Sequence, residues 1–420
     1  MQQGYKHTEL GIIPEDWACV KFGEKVRIYR GGSPRPIQSY ITTSSNGINW
    51  IKIGDVRETD KYIRSTQEKI IPEGVSKSRE VHIGDFILSN SMSFGRPYIL
   101  DIDGCIHDGW LTIQEYKNTF STEFLYYLLS SDLVYKQYIS MAAGSSVKNL
   151  NKDKVSALNV IYPSISEQKH IAEALSSIDS MISSLEKLIA KKKAIKQGAM
   201  QELLTGKKRL SGFTGEWKPI NLSQKSKIKA RIGWQGLNTN EYLDSGYAYL
   251  VTGTDFANGK IDWDNCHYVA KDRFDQDRNI QIQNDDILIT KDGSLGKTAL
   301  VKGLNKPATL NSGVFVIRAI QESYNPTFVY HILSSFVFKD FLDHLSAGST
   351  IIHLYQKDIS KFEFLMPPTI EEQSAIASIL TDMDNGIEIL EQKLAKTRWI
   401  KQGMMQKLLT GKIRLTTTAY

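Results

Sequence analysis

The sequence predicts an α+β chain in which two globular α/β domains are separated by two long helices. The helices are expected to pair as an antiparallel coiled coil within a pseudo-twofold internal repeat. Three observations predict this. A 45-residue segment recurs without a gap, its apolar residues fall at heptad spacing in both copies, and the stretch before each copy mixes short β-rich runs with short helices.

The repeat comes first, because a missed repeat misreads the whole chain. Ser166 to Leu210 returns as Glu371 to Leu415 at a constant offset of 205, with IKQG, LLTGK and the closing Arg and Leu identical in both copies. Weaker matches extend upstream at offset 204. Ala143-Gly144-Ser145 aligns with Ala347-Gly348-Ser349, and Phe124…Ser130-Ser131 aligns with Phe328…Ser334-Ser335. Gly84 to Leu88 parallels Asn284 to Leu288, and Trp17 parallels Trp217, at offset 200. The chain is thus two copies of one unit whose first parts have diverged and whose last parts have not. Divergent parts on a common frame suit different versions of one job.

The helices follow from spacing. Ile171, Leu175, Ile178, Ile182, Leu185 and Ile189 are separated by 4, 3, 4, 3 and 4 positions, and Ile376, Leu380, Met383, Ile387, Leu390 and Leu394 repeat that pattern. A 3.5-residue apolar period makes the narrow seam of a coiled coil. Glu167 and Glu372 lie near the N-termini, and Lys191, Lys192, Lys193 and Lys196 lie toward the C-terminus, as the helix dipole favours. Gly206 and Gly411 are placed to end the helices. From Ser166 to Leu204 the rod would run about 58 Å. Each seam covers under three heptads, so packing of each helix on its own domain stays open as the alternative. Reach decides the orientation. The chain from Leu204 to Trp217 spans at most about 45 Å, too little to return along the rod, so an antiparallel pair is expected, with a diverged domain toward each end.

Within the diverged parts, Gly47–Val56, Asp85–Ser89, Tyr247–Thr252 and Asp286–Thr290 read as strands bounded by turn residues. Thr122–Ser131 and Thr327–Ser335 read as short amphipathic helices.

Several classes of function are excluded or disfavoured. Cys19, Cys105 and Cys266 are isolated and odd in number, which argues against a disulfide framework or thiolate zinc site and for a reducing, cytoplasmic setting. The N-terminus lacks the apolar core of a signal peptide, and no apolar run approaches a membrane span. The net charge of +6 permits an anionic partner without requiring one. Asp292 to Thr298 mimics a phosphate loop, but the required first glycine position holds Lys291; a glycine hairpin presenting Lys297 is expected instead. The eight histidines show no metal spacing, and no GxSxG, GxGxxG or methyl-transfer motif is present. No catalytic residues, metal site or cofactor site are expected in this chain.

The repeated motif carries a family resemblance. Gly144-Ser145, Leu150, Pro163, Glu167-Gln168, Ile171-Ala172, Leu175 and Ile178-Asp179 form one set. Gly348-Ser349, Leu354, Pro367, Glu372-Gln373, Ile376-Ala377, Leu380 and Met383-Asp384 form the other. With the opening Ile13-Pro14-x-x-Trp17, the chain resembles, over essentially its full length, the DNA specificity (S) subunit of type I restriction–modification systems. The resemblance implies target-recognition domains at residues 1–165 and 207–370, a central conserved helix at 166–206, a distal one at 371–411 and a tail at 412–420. Each domain would read one half of a bipartite site in double-stranded DNA, and the helices would set the spacer and dock two methyltransferase (M) subunits. Nuclease/translocase (R) subunits would join for cleavage. S-adenosylmethionine, ATP and Mg would belong to those partners, and no membrane is involved.

Base edges are read by Arg, Lys, Asn or Gln, and phosphates by Lys, Ser, Thr and backbone N–H groups. On that chemistry the candidates in the first domain are Arg30, Arg35, Asn90, Ser93, Arg96 and Lys148. In the second they are Arg231, Gln235, Lys291, Lys297, Thr350 and Tyr355. Two competing functions are a coiled-coil adaptor that binds protein without DNA specificity, and a fused restriction or modification enzyme.

Overall fold

A computed structural model of the chain describes residues 4–90, 95–142, 150–346 and 353–416. Two compact units emerge, and neither is one repeat. The first comprises Met1–Glu186 with Gln392–Tyr420, and the second Lys187–Glu391. Each long helix is therefore divided near its middle, and each unit holds one diverged domain, the first half of that domain's helix and the last half of the other helix.

In the first unit, fully buried apolar runs form the central strands. A five-stranded sheet orders Arg27–Arg30, Trp110–Gln114, Phe86–Ser89, Pro97–Leu100 and Tyr62–Ile63, antiparallel except at its last pair. A second sheet orders Ile41–Thr42, Glu68–Ile70, Ile48–Ile51, Gly104–Ile106 and Arg79–Val81, with Ile48–Ile51 and Gly104–Ile106 parallel. The second unit repeats this plan with fewer strands. One sheet orders Ser226–Ala230, Val314–Ala319, Ile287–Thr290 and Thr298–Leu300; the other orders His267–Val269, Ala248–Val251 and Ala308–Leu310. The short helices form at Thr122–Leu129 and Pro326–Leu333.

Backbone pairing corrects one alignment by a residue. The Asp85 carboxylate accepts the His82 N–H at 3.0 Å, and that of Asp286 accepts the Gln283 N–H at 2.7 Å. Gly84 and Asp285, at φ +89 and +71, turn the chain before each strand. The offset here is 201, so Asp85 corresponds to Asp286 rather than to Asp285.

The long helices run Ile165–Leu203 and Ile370–Leu408, 39 residues each. Gly206 (φ +71) and Gly411 (φ +69) end them in left-handed backbone. Their apolar positions do not act as one uniform seam. Ile171 and Leu175 belong to the core of the first domain with Leu408 and Leu409; Ile376 and Leu380 belong to that of the second with Leu203 and Leu204. Between these ends, Leu185, Ile189 and Ile387 are buried, whereas Ile178, Ile182, Met383, Leu390 and Leu394 are half-buried. Heptad spacing reports burial without saying whether a helix or a domain core supplies it.

The Glu-Gln motif explains how each helix is seated. Gln168 accepts the Ser121 N–H at 2.9 Å and donates to the carbonyls of Thr119 and Pro163. Gln373 likewise accepts the Asn325 N–H at 2.8 Å and donates to Pro367. Each glutamine thus ties the start of its long helix to the start of a short one. Glu167, 3% exposed, accepts from Trp17 Nε1 at 3.3 Å and from Arg414 Nε and Nη2 at 2.7 and 2.8 Å. Glu372, 0% exposed, accepts from Trp217 Nε1 at 3.3 Å and from Arg209 Nε and Nη2 at 2.6 and 2.8 Å. The arginine in each clasp comes from the other repeat's closing segment.

Candidate nucleic-acid interface

In the first domain, three of the candidate residues converge on a residue the sequence reading did not single out, Asp108. Arg30 Nε donates to its backbone oxygen at 3.3 Å, and Asn90 Nδ2 donates to the same oxygen at 3.1 Å. Arg35 Nη2 lies 3.7 Å from its carboxylate, which also accepts from Ser33 Oγ at 2.9 Å and faces His107 Nε2 at 3.0 Å. Asn90 is only 5% exposed, so its side chain shapes the rim rather than reaching outward. Arg96 is half-buried and bonded to Glu58. Ser93 and Lys148 lie outside the described residues.

The second domain distributes its candidates differently. Lys291 is half-buried; its N–H donates to Gly313 O at 2.9 Å and its carbonyl accepts the Leu354 N–H at 2.9 Å. Lys297 is exposed on the hairpin joining Ile287–Thr290 to Thr298–Leu300, where Gly293 and Gly296 adopt positive φ. Tyr355 is 57% exposed, and Thr350 lies outside the described residues.

Arg231 and Gln235 require correction. Arg231 is 2% exposed and Gln235 5%, so neither presents a side chain to a ligand outside. Arg231 Nε donates to Leu310 O at 2.8 Å and Nη2 to Thr309 Oγ1 at 3.2 Å, while burial, and then Arg273 nearby, pull its pKa below the ordinary guanidinium value. Strand pairing gives the reason. Arg30 pairs with Leu111 as Ala230 pairs with Phe315, so Arg231 occupies the position of Gly31, one residue further on. In the first domain the Gly32 N–H reaches the Ile106 carbonyl; in the second the Arg231 guanidinium reaches the matching Leu310 carbonyl. Residue type alone does not distinguish a reader from such a strut.

The same pairing matches His107-Asp108-Gly109 with Asn311-Ser312-Gly313. The His107 N–H donates to Ile51 O at 3.1 Å, and the Asn311 N–H to Val251 O at 2.9 Å. Both turns are polar tripeptides ending in glycine directly after an apolar strand, a signal present in the sequence. Among the described residues no group of three His, Cys, Asp or Glu side chains could hold a metal ion, and no helix is long and apolar enough to cross a membrane.

The profile of the type I restriction modification DNA specificity domain matches residues 14–197 and again 215–397. The chain belongs to that family. A Methanocaldococcus jannaschii protein named as the MjaX specificity subunit of a type I restriction enzyme is 26% identical, over 99% of this chain and 98% of its own. The EcoBI specificity subunit of Escherichia coli is 23% identical over 96% of this chain and 87% of its own. Among solved structures, the type I S subunit from M. genitalium matches with a TM-score of 0.58 at 16% identity, covering 93% of this chain and 96% of that one. A chain solved for assembly and conformational transition of a type I R-M system matches with a TM-score of 0.62 at 17% identity, over 96% and 99%.

Proposed function

We propose that this chain is the non-catalytic DNA-reading subunit of a cytoplasmic type I restriction–modification complex, with target-recognition domains at residues 1–165 and 207–370. The observation that carries this reading is one scaffold used twice with different side chains at matched positions. Asn90 corresponds to Lys291, Arg96 to Lys297, and His107-Asp108 to Asn311-Ser312. Two readers on one frame suit a bipartite, asymmetric site in double-stranded DNA, because phosphate contacts position a domain while base contacts give it sequence preference. Arg30, Arg35, Lys291, Lys297 and Tyr355 are its exposed or half-exposed contact groups.

The helices at 166–206 and 371–411 act as the spacer and dock two methyltransferase subunits, with nuclease/translocase subunits joining for cleavage. S-adenosylmethionine, ATP and Mg belong to those partners. An antiparallel coiled coil is the arrangement that best accounts for the ion pairs. Asp179 meets Lys401 and Glu186 meets Arg398, each at 2.6 Å, so the partner's number falls as the first rises. Lys193 meets Glu391 at 2.7 Å and Lys196 meets Asp384 at 2.5 Å in the same falling sense.

Exchange of residues 1–165 for those of another family member tests the assignment. Sequencing of modified bases in cells carrying the chimera should show one half-site replaced and the other intact; a change in both halves would sink it. The ruler makes a separate prediction. A short insertion between Ser176 and Lys193 should change the spacer and leave both half-site sequences as they were, and an unaltered spacer would remove the helices from that role.

A further inference from the structure

The first domain contains an open cleft of about 830 Å³, lined by the Ser33–Gln38 loop, Trp50, the Lys52–Glu68 pair and the His107-Asp108 turn. Trp50, 1% exposed, is part of the lining, where Lys52 and Glu68 meet at 2.6 Å. Backbone hydrogen bonds anchor the base of the Ser33–Gln38 loop. The Gly31 N–H donates to Trp110 O at 2.8 Å, the Gly32 N–H to Ile106 O at 3.2 Å, and Ser78 Oγ to Gly32 O at 2.8 Å. A Cβ on Gly31 would stand 2.1 Å from His107 O, so only glycine permits this approach. Beyond it, Arg35 sits between Pro34 and Pro36, whose rings restrict the backbone before any ligand arrives.

The side chains divide into a held acceptor and a free donor. Asp108 is occupied: Ser33 Oγ donates to it, Arg35 lies 3.7 Å away, and His107 faces it at 3.0 Å. His107 Nδ1 accepts the Gly109 N–H at 2.9 Å, which turns the Nε2 edge of the ring toward Asp108 at 3.0 Å. Arg35 is 84% exposed and touches Asp108 through one nitrogen, leaving the rest of its donor fork unused. Ser33 and His107 both face Asp108 Oδ1, so a cytosine amino group would have to compete with Arg35 for Oδ2. Arg35, with Gln38 and Lys52 beside it, offers donors to a surface that offers acceptors. In the major groove the guanine edge presents two, N7 and O6, matched to the arginine fork.

We propose that Arg35 reads a guanine in the half-site of the first domain, with Asp108 as the positioning residue that aims its guanidinium. This rests on the DNA-reading function proposed above. The second domain carries Asn311-Ser312 at the matching turn and buries Arg231, so it reads a different sequence.

The test uses the full chain assembled with its methyltransferase subunits, on duplexes carrying the bipartite site identified by modified-base sequencing. Each guanine of the first domain's half-site is replaced in turn by 7-deazaguanine, which lacks the N7 acceptor. Wild type should lose about 10- to 100-fold in affinity at one such position. Arg35→Ala should lose a similar factor on the natural duplex and be indifferent to the 7-deaza change there. Arg35→Lys, which keeps the charge and loses the fork, should recover the affinity only in part. Asp108→Asn should reduce discrimination of guanine from adenine at that position with the salt dependence unchanged, a readout that a merely structural role would not single out. If Arg35→Ala weakens binding to all sequences alike and lowers the salt slope by about one, the arginine holds a phosphate and the proposal is overturned. Full wild-type affinity on every 7-deaza duplex overturns it too. If the wild-type complex shows no sequence preference, or the domain exchange alters both halves, the DNA-reading function itself has failed.

Discussion

Arg414→Ala is expected to destabilise the first unit by about 3–5 kcal/mol, and Arg209→Ala the second unit by a similar amount. Each substitution leaves a buried carboxylate without its counter-charge: Glu167 at 3% exposure and Glu372 at 0%. The donors that remain, Trp17 Nε1 and the Leu415 N–H at Glu167 and Trp217 Nε1 at Glu372, are neutral and long, each at 3.3 Å. By contrast, the pair Arg398–Glu186 has side chains 58% and 47% exposed, and Arg398→Ala should cost under about 1 kcal/mol. Arg414 also holds the carboxyl of Asp16 below its ordinary pKa of 3.8. That contribution is present at neutral pH and is lost as the pH falls below the carboxylate range, and at 65% exposure it is a small part of the effect.

Two cysteines make the units separately measurable. Cys105 belongs to the first unit and Cys266 to the second, both buried, and burial pushes their thiols up to about 11 and about 12. Both therefore react slowly until their unit opens. In urea titrations followed by peptide-resolved labelling with a pyridyl disulfide, Arg414→Ala should expose Cys105 at lower urea and leave the Cys266 midpoint nearly in place. Arg209→Ala should do the reverse. A loss below about 1 kcal/mol, or one shared equally by the two cysteines, would show that the carboxylates are not paired as described.

The clasps also show which parts of the fold were legible in the sequence. The repeat places Arg209 and Arg414 in equivalent positions, and helix periodicity with Gly206 and Gly411 marks both rods, within one residue at the start and three residues too long at the end. What the arginines bind was hidden, because Glu167 lies 247 residues from Arg414 and a conserved-looking Glu-Gln pair reads equally well as a helix start. The same limit affects the interface. Residue type points to Arg30, Arg35 and Asn90, but Asp108, on which they converge, is an acid, and DNA-binding chemistry does not single out acids. Residue type misplaces Arg231, because its partner is a backbone carbonyl in a distant strand and no side-chain pattern announces a carbonyl. Short buried strands such as Phe86–Ser89 and Ile287–Thr290 were recognisable as apolar runs bounded by turn residues. Their one-residue change of register was not, since the extra residue falls among polar loops.

Acid should weaken the second unit more than the first. His331, 1% exposed in the helix Pro326–Leu333, has Nε2 3.2 Å from Thr381 Oγ1 on the distal helix. Burial, and secondarily Lys196, lower its pKa from 6.5 to about 3. Lys196 is itself paired with Asp384 at 2.5 Å, so the group facing the imidazole is a neutralised ion pair rather than a free carboxylate. Folded His331 stays neutral where the unfolded chain takes up a proton. Stability is thus unaffected above pH 7 and falls by about 1.4 kcal/mol per pH unit once the pH drops below 6.5, continuing toward 3. Between pH 7 and 5 the loss is about 2 kcal/mol. The matching position in the first unit is Tyr127, whose hydroxyl donates to Asp179 at 2.7 Å and whose pKa is raised, chiefly by burial, so it takes up no proton in this range. In urea titrations at pH 7, 6 and 5, the Cys266 midpoint should therefore fall further than that of Cys105, and His331→Phe should remove the excess. Parallel decline of both midpoints, or an unchanged slope in His331→Phe, would show that the imidazole is free to protonate in the folded state.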